Sequence, residues 1–453
     1  MISRKRTSNI KKESNSTKVV YNAGWIIGIK IIQSVITLIV GMIIVRYWGP
    51  SKYGTLTYAS SLVAFAVPIM NLGISNILVQ ELVISPQKEG ETLGTAIAVS
   101  FFSSFGCIGL IYIFTLIANR NDTETIVVCL LYSSNLVFQA FNLLLYWFQA
   151  HYLSKITSII SFFAYCLITT YKIILLINLK SIYWFAVSNA FDYAIIALVS
   201  YIYYKGQNGQ KLVFSSKTAH YLFSKSKYYI IASMMVTVFA QTDKVMLKIM
   251  IDDTSTGYYG AAVACASLAS FIFSAIIDSF RTSIFEGKKQ DESTFEFRET
   301  VLYSIVIYFS LFISIITTLF SSIIIKVLYG EDFTNSIPVL QIIIWYTTFA
   351  YIGSVRNIWI LANDLQRYLW IINLSGATLN VFLNLILIPR WSICGAALAS
   401  LLTQFFTNII VGYMIPPIKH NNTIMLRALH PKYLLFVASR LRNNFKTPFL
   451  SLY

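Results

Sequence analysis

Apolar runs of twenty or more residues recur from Tyr21 to Ile415, and short polar links separate them. Each run is long enough to cross a hydrocarbon core of roughly 30 Å as a helix. The pattern predicts twelve spans, at 22–45, 55–80, 93–117, 125–149, 156–178, 181–204, 221–250, 257–280, 301–328, 336–361, 368–388 and 391–415. Links such as Gly49-Pro50-Ser51-Lys52, Asn119-Arg120-Asn121-Asp122, Asp252-Asp253-Thr254-Ser255 and Gly330-Glu331-Asp332 carry the residues that punctuate helices, and none has room for a further folded domain. The expected fold class is an all-α membrane protein.

The longest link divides the spans into six and six. The chain therefore reads as a basic tail (1–21), an N-terminal six-helix bundle (22–204), a linker (205–220), a C-terminal six-helix bundle (221–415) and a second basic tail (416–453). Two such halves suggest a two-lobed transporter. Sliding one half along the other by 203 residues places Gly54 and Ala59 on Gly257 and Ala262, at equivalent starts of the second and eighth spans. The stretch Met1 to Lys18 is basic and rich in Ser and Asn, which points to disorder rather than a cleavable signal peptide.

Composition excludes a soluble protein: 56% of residues are hydrophobic and 12% charged, against roughly 25% charged in soluble domains. The net charge of +16 would suit a nucleic-acid partner, but its placement gives another account. Lys and Arg concentrate before Tyr21, in 205–227, in 281–298 and after Ile415, all on the same side if the spans alternate. The positive-inside rule puts both termini in the cytoplasm and leaves no nucleic-acid site to invoke. The five cysteines are scattered through apolar runs as packing residues. The four histidines form no cluster with acids or cysteines, and there is no Gly-x-x-x-x-Gly-Lys-Ser/Thr. No catalytic residue, metal site or cofactor is expected.

Candidate chemistry lies on polar stripes inside the spans, because a membrane helix turns costly polar groups toward the bundle or a watery cavity. Lys30, Gln33, Ser34, Thr37 and Gly41 share one face of the first span. Ser233, Thr237, Gln241, Lys244 and Lys248 form the matching stripe of the seventh. The eighth adds Ser267, Ser270, Ser274, Asp278 and Arg281, with Asn71 and Ser75 as counterparts in the other half. Small residues also serve helix–helix contact, so the uncharged members fit either role. A Lys or Arg at mid-span costs ~2.5–3.5 kcal/mol and needs a reason, which singles out Lys30, Lys172, Lys244 and Arg356, with snorkelling an alternative for Lys172. Of the intramembrane acids, Asp243 and Asp278 are candidates for an ion site and Asp192 for a counter-ion.

Four stretches in order resemble the polysaccharide (O-antigen, Wzx-type) branch of the multidrug/oligosaccharidyl-lipid/polysaccharide flippase superfamily. They are Arg46-Tyr-Trp-Gly-Pro-Ser-Lys-Tyr-Gly54, Asp243-Lys-Val-Met-Leu247 with Gly257-Tyr-Tyr-Gly-Ala-Ala262, Leu328-Tyr-Gly-Glu-Asp-Phe333 with Pro338-Val-Leu340, and Ile388-Pro-Arg-Trp-Ser-Ile-Cys-Gly-Ala-Ala397. Tyr47-Trp48, Tyr53 and Trp391 depart from the family's pattern. The resemblance implies two six-helix bundles around a central cationic cavity, working by alternating access. The implied cargo is an undecaprenyl-diphosphate-linked oligosaccharide, carried across the bacterial inner membrane for O antigen or another surface polysaccharide. It also implies coupling to a proton or sodium ion, membrane lipids as surroundings, contact with a polysaccharide polymerase and a monomeric state.

A diphosphate crossing a low-dielectric layer needs fixed positive charge, and sugars need amides and hydroxyls. Lys30, Lys172, Lys244 and Arg356 are the expected phosphate contacts, and Gln33, Thr37 and Gln241, with Asn71 and Asn357, the expected sugar contacts. Two rival readings remain: an ion-coupled multidrug antiporter, which would favour an acidic lumen, and a membrane glycosyltransferase or polymerase, which would need a large extracytoplasmic loop.

Overall fold

A computed structural model describes residues 32, 33, 36–433 and 435 in full, and only the helical backbone of 2–31, 34 and 35. Lys30, the N-terminal tail and the C-terminal tail beyond 435 therefore lie outside the fully described residues. The described chain is helical throughout: α1 (Ile2–Met70), α2 (Leu78–Ile84), α3 (Glu89–Ala118), α4 (Thr123–Ser133), α5 (Asn135–Gln139), α6 (Leu144–Ala150), α7 (Ser154–Ile177) and α8 (Ile182–Gly206). It continues as α9 (Ser216–Met250), α10 (Asp253–Ser267), α11 (Ser270–Gln290), α12 (Glu292–Tyr329), α13 (Ser336–Ala362), α14 (Leu369–Phe405), a π-helical turn at Phe406–Ile410, α15 (Val411–Met414) and α16 (Pro416–Ala428).

The polar links begin helices as their chemistry requires. Asp122, Asp252 and Asp291 each accept a bond from the backbone N–H three residues on, at 3.0, 2.7 and 2.7 Å, which satisfies one orphan donor of α4, α10 and α12. The bonds from Thr294 hold the Asp291 carboxyl below the usual carboxylate range.

Among the described residues nine helices are long and apolar enough to cross a membrane, or ten when α10 and α11, bent by 41°, count as one broken span. The sequence pattern predicts twelve. The difference arises at two places where helices run on through a predicted link. In α1 the break at Gly49 is a single residue (φ 67°, ψ −179°) followed at once by Pro50, whose fixed φ restarts the helix. In α14 it is Ser392 (φ 49°, ψ −128°), three residues after Pro389. The predicted span 55–80 also stops early, at Met70, because Leu72 and Gly73 turn left-handed.

Contacts divide the chain into two compact units, 1–48 with 55–234, and 49–54 with 235–453. The core of the first unit is built from Leu78 and Leu82 of α2, Leu93 and Ile97 of α3, Trp147 and Phe148 of α6, and Tyr204 of α8. The segment between α8 and α9 is laid along the start of α3. Gly90 N–H donates to Gln210 Oε1 at 3.0 Å, Val213 N–H to Gly90 O at 3.2 Å, and Ser215 N–H to Thr95 Oγ1 at 3.0 Å. A Cβ at Gly90 or Gly94 would strike the backbone of Lys211 or of Val213, so glycine permits the approach. The start of α9 is tied to the same unit by Lys225, 2.8 Å from the buried Glu81, and by Ser226 Oγ, which donates to Leu72 O at 2.7 Å.

The second unit packs Phe273 and Ile284 of α11, Phe295, Leu302 and Val306 of α12, Val355 and Trp359 of α13, and Ile424 of α16 into one core. Gly54 and Gly257 sit where the second rod of α1 meets α10, with no room for a side chain at either. Small residues let two helix backbones approach in this way where lipid offers no hydrophobic drive.

Candidate functional site

The last turns of α9 carry Gln241, Asp243 and Lys244, and in the second unit they form part of the wall of a cavity of about 300 Å³. Asp243 is 4% exposed, and four side chains converge on its carboxylate. Asn380 and Asn384 Nδ2 donate to Oδ1 at 3.1 and 2.6 Å, and Tyr259 Oη and Ser400 Oγ donate to Oδ2. A buried carboxylate is stable only when paired or multiply bonded, and these bonds meet that need.

Local geometry explains the convergence. Asn380 and Asn384 stand four apart and so share a face of α14. Ser400 lies sixteen residues beyond Asn384, which in a straight helix would carry it about 24 Å away. The left-handed Ser392 folds the chain back instead. Gly395 is pressed against the Leu387 carbonyl, with no space for a Cβ, so the two arms of α14 lie in contact. The stretch from Ile388 to Ala397 thus builds the turn that returns Ser400 to the carboxylate.

The oxygens of Asp243, Tyr259 and Ser400 and the amide oxygens of Asn380 and Asn384 make a hard-donor cluster suited to a small cation. Asn384 Oδ1 is buried and has no hydrogen-bond partner, so one donor is uncommitted.

The rest of the cavity is mixed. Lys244 Nζ donates to Gln241 Oε1 at 3.0 Å. On the aromatic side Phe239 and Tyr346 lie parallel, centroids 6.4 Å apart, and Tyr351 stacks on Phe273 at 3.9 Å. Ser267, Ser270 and Thr347 add hydroxyls.

The structure brings Gln241, Asp243 and Lys244 to this cavity, together with Ser267 and Ser270 of the eighth-span stripe, and distributes the other expected substrate and ion contacts. Gln33, Thr37 and Lys172 belong to the first unit. Thr37 Oγ1 donates to Gln33 O of its own helix at 2.7 Å, and Lys172 Nζ donates to Asn189 Oδ1 at 3.3 Å with Asp192 as its charged neighbour. Arg356 is 4% exposed in the second unit, and its Nη1 donates to Thr407 O, in the π-helical turn, at 2.6 Å. It does not line the cavity. Asp278 is exposed and pairs with Arg281 at 3.0 Å. The side chain of Lys30 lies outside the described residues.

Sequence reasoning missed Tyr259, Asn380, Asn384, Ser400 and Tyr346. The asparagines had a signal, since two amides at i, i+4 in an apolar run are as costly in lipid as they are conspicuous.

Comparison with known proteins gives the wider setting. A family described as "Polysaccharide biosynthesis protein" matches residues 19–281. An uncharacterized membrane protein of Methanocaldococcus jannaschii is 25% identical over 253 residues, 51% of this chain and 49% of that protein, so the chain matches about half the length of this relative. Among solved structures, the lipid II flippase MurJ in an inward closed conformation superimposes with a TM-score of 0.69 at 14% identity, covering 90% of this chain and 92% of MurJ. An inward-facing multidrug resistance MATE family transporter of the MOP superfamily gives 0.61 at 11% identity, covering 88% and 96%. The fold is therefore like that of the MurJ and MATE transporters, which has two helical bundles. By the match over more than half of its length, the chain belongs to the polysaccharide biosynthesis protein family.

Proposed function

We propose that this protein is a flippase that carries undecaprenyl-diphosphate-linked oligosaccharide repeat units across the bacterial inner membrane by alternating access, coupled to a cation held at Asp243. The observation that carries the reading is the Asp243 cluster on the wall of a cavity that also presents a cation, Lys244, beside aromatic rings and hydroxyls. Membership of a polysaccharide biosynthesis family and a fold like that of a lipid II flippase support it.

In this reading the helices broken at Gly49 and Ser392 each stand for two of the twelve spans that hydropathy predicts, and the concentration of Lys and Arg in alternate links supports both termini in the cytoplasm. Sodium or a proton fills the cation role, since either can be exchanged for the hydrogen bonds that Asp243 accepts. The exported polymer is O antigen or another surface polysaccharide. Lys30, Lys172 and Arg356 remain the cations proposed for the diphosphate.

The test is reconstitution. Purified protein in liposomes should move a fluorescent polyprenyl-diphosphate oligosaccharide to the opposite leaflet, where an added glycosidase cleaves it, faster than protein-free liposomes do. Equal rates with and without protein would refute the flippase reading, and cation-driven efflux of ethidium instead would establish the multidrug one.

A further inference from the structure

The lining of the second unit's cavity carries one formal positive charge, at Lys244, and one formal negative charge, at Asp243. The two are not equivalent. Asp243 is enclosed by four donors, whereas Lys244 has no carboxylate within ion-pair distance among the described residues and bonds to a neutral amide. Empty of a cation the site is neutral, and with a monovalent cation on the Asp243 cluster it has a net charge of plus one. A diphosphate diester brings two negative charges and a ligand without charge brings none. A single carboxylate matches the loaded site.

The remaining walls fit a sugar ring. Tyr346 and Tyr351 line the cavity with aromatic rings of the kind that pack on a C–H surface, while Ser267, Ser270 and Thr347 can meet hydroxyls. The volume of about 300 Å³ admits one pyranose.

We propose that this cavity is a subsite for one carboxylate-bearing sugar of the cargo, with Lys244 pairing its carboxylate and the cation at Asp243 strengthening that pairing. The inference rests on the reading of the protein as a cation-coupled flippase of lipid-linked oligosaccharides, and it assigns Lys244 to a sugar acid rather than to the diphosphate. It also states how cation and cargo are linked. Each raises the affinity of the other by the same factor, because each is repelled by the charge that the other neutralises.

The experiment is saturation-transfer NMR on the full-length protein in lipid nanodiscs, with methyl β-D-glucuronide, methyl β-D-glucoside and inorganic pyrophosphate as probes. The glucuronide should bind at least about tenfold more tightly than the glucoside, the scale of one charge-assisted hydrogen bond. Lys244→Gln should abolish that preference and Lys244→Arg should keep it.

Asp243→Asn mimics the loaded charge state, so in sodium-free buffer it should raise glucuronide affinity several-fold and leave the glucoside unchanged, an effect that structural damage would not produce. Equal binding of the two glycosides by the parent protein, an Asp243→Asn variant that binds the glucuronide no better, or displacement of the glucuronide by equimolar pyrophosphate would each overturn the subsite. Lipid transport without glucuronide binding removes the subsite and leaves the flippase. Glucuronide binding without lipid transport removes the flippase and leaves an acid-sugar site.

Discussion

Gly54 and Gly257, which an offset of 203 residues aligns in the sequence, lie directly against each other within the second unit. A Cβ on Gly54 would collide with the carbonyl of Asp253, and one on Gly257 with the carbonyl of Pro50. Neither obstacle is a flexible side chain, so relief requires the helices to separate. Gly54→Val and Gly257→Val should each remove most of the monodisperse protein in fluorescence-detected size-exclusion chromatography. Gly41→Val is the control, because nothing lies within 4 Å of where its Cβ would stand. A normal Gly257→Val profile would contradict the close crossing.

Asp243 and Asp278, both sequence candidates for the ion, should behave differently. The first is buried among four donors and the second is an exposed partner of Arg281 in a pair of the kind worth at most about 1 kcal/mol. In proteoliposomes Asp243→Asn should lose cation-driven transport by an order of magnitude or more, while Asp278→Asn keeps the parental rate. Loss of coupling in Asp278→Asn alone would move the ion site to α11.

What the sequence revealed and what it hid follow from the range of each interaction. Hydropathy located the helices, because twenty apolar residues are a local signal. Asp243 and Lys244 were legible as charges in an apolar run, and Gly54 with Gly257 as a repeat. The partners of Asp243 were not, since Asn380 and Ser400 lie 137 and 157 positions away and carry no charge. Their meeting depends on the fold at Ser392, where Pro389-Arg390-Trp391 gives the same local pattern as an ordinary link between two spans. Arg356 was legible as costly, but its use was not. The carbonyl it binds lies in the π-helical turn Phe406–Ile410, which no local sequence pattern announces.

That bond gives Arg356 a measurable role in stability. A charged donor to a buried carbonyl is worth roughly 1.5–3 kcal/mol. Arg356→Leu should lower the melting temperature of the purified protein by several degrees, and Arg356→Lys by less. If Arg356→Leu melts like the parent but fails to export polysaccharide, the guanidinium serves the cargo diphosphate and not the π-helical turn.

The strap between α8 and α9 bears on where the chain can be split. Residues 207–215 follow the first six predicted spans, yet their backbone is hydrogen-bonded to Gly90 and Thr95 of α3. A fragment ending at Gly206 would leave the Gly90–Gly94 groove bare, with the Gly90 amide stripped of its Gln210 partner and the Gly90 carbonyl of its bond from Val213. One ending near Met234 would keep the groove filled and carry the Glu81–Lys225 pair with it. Co-expressed fragments divided at 234 should therefore yield more first half in the membrane than fragments divided at 206. For the folded protein, the stretch that joins the two halves in sequence is a built part of one of them.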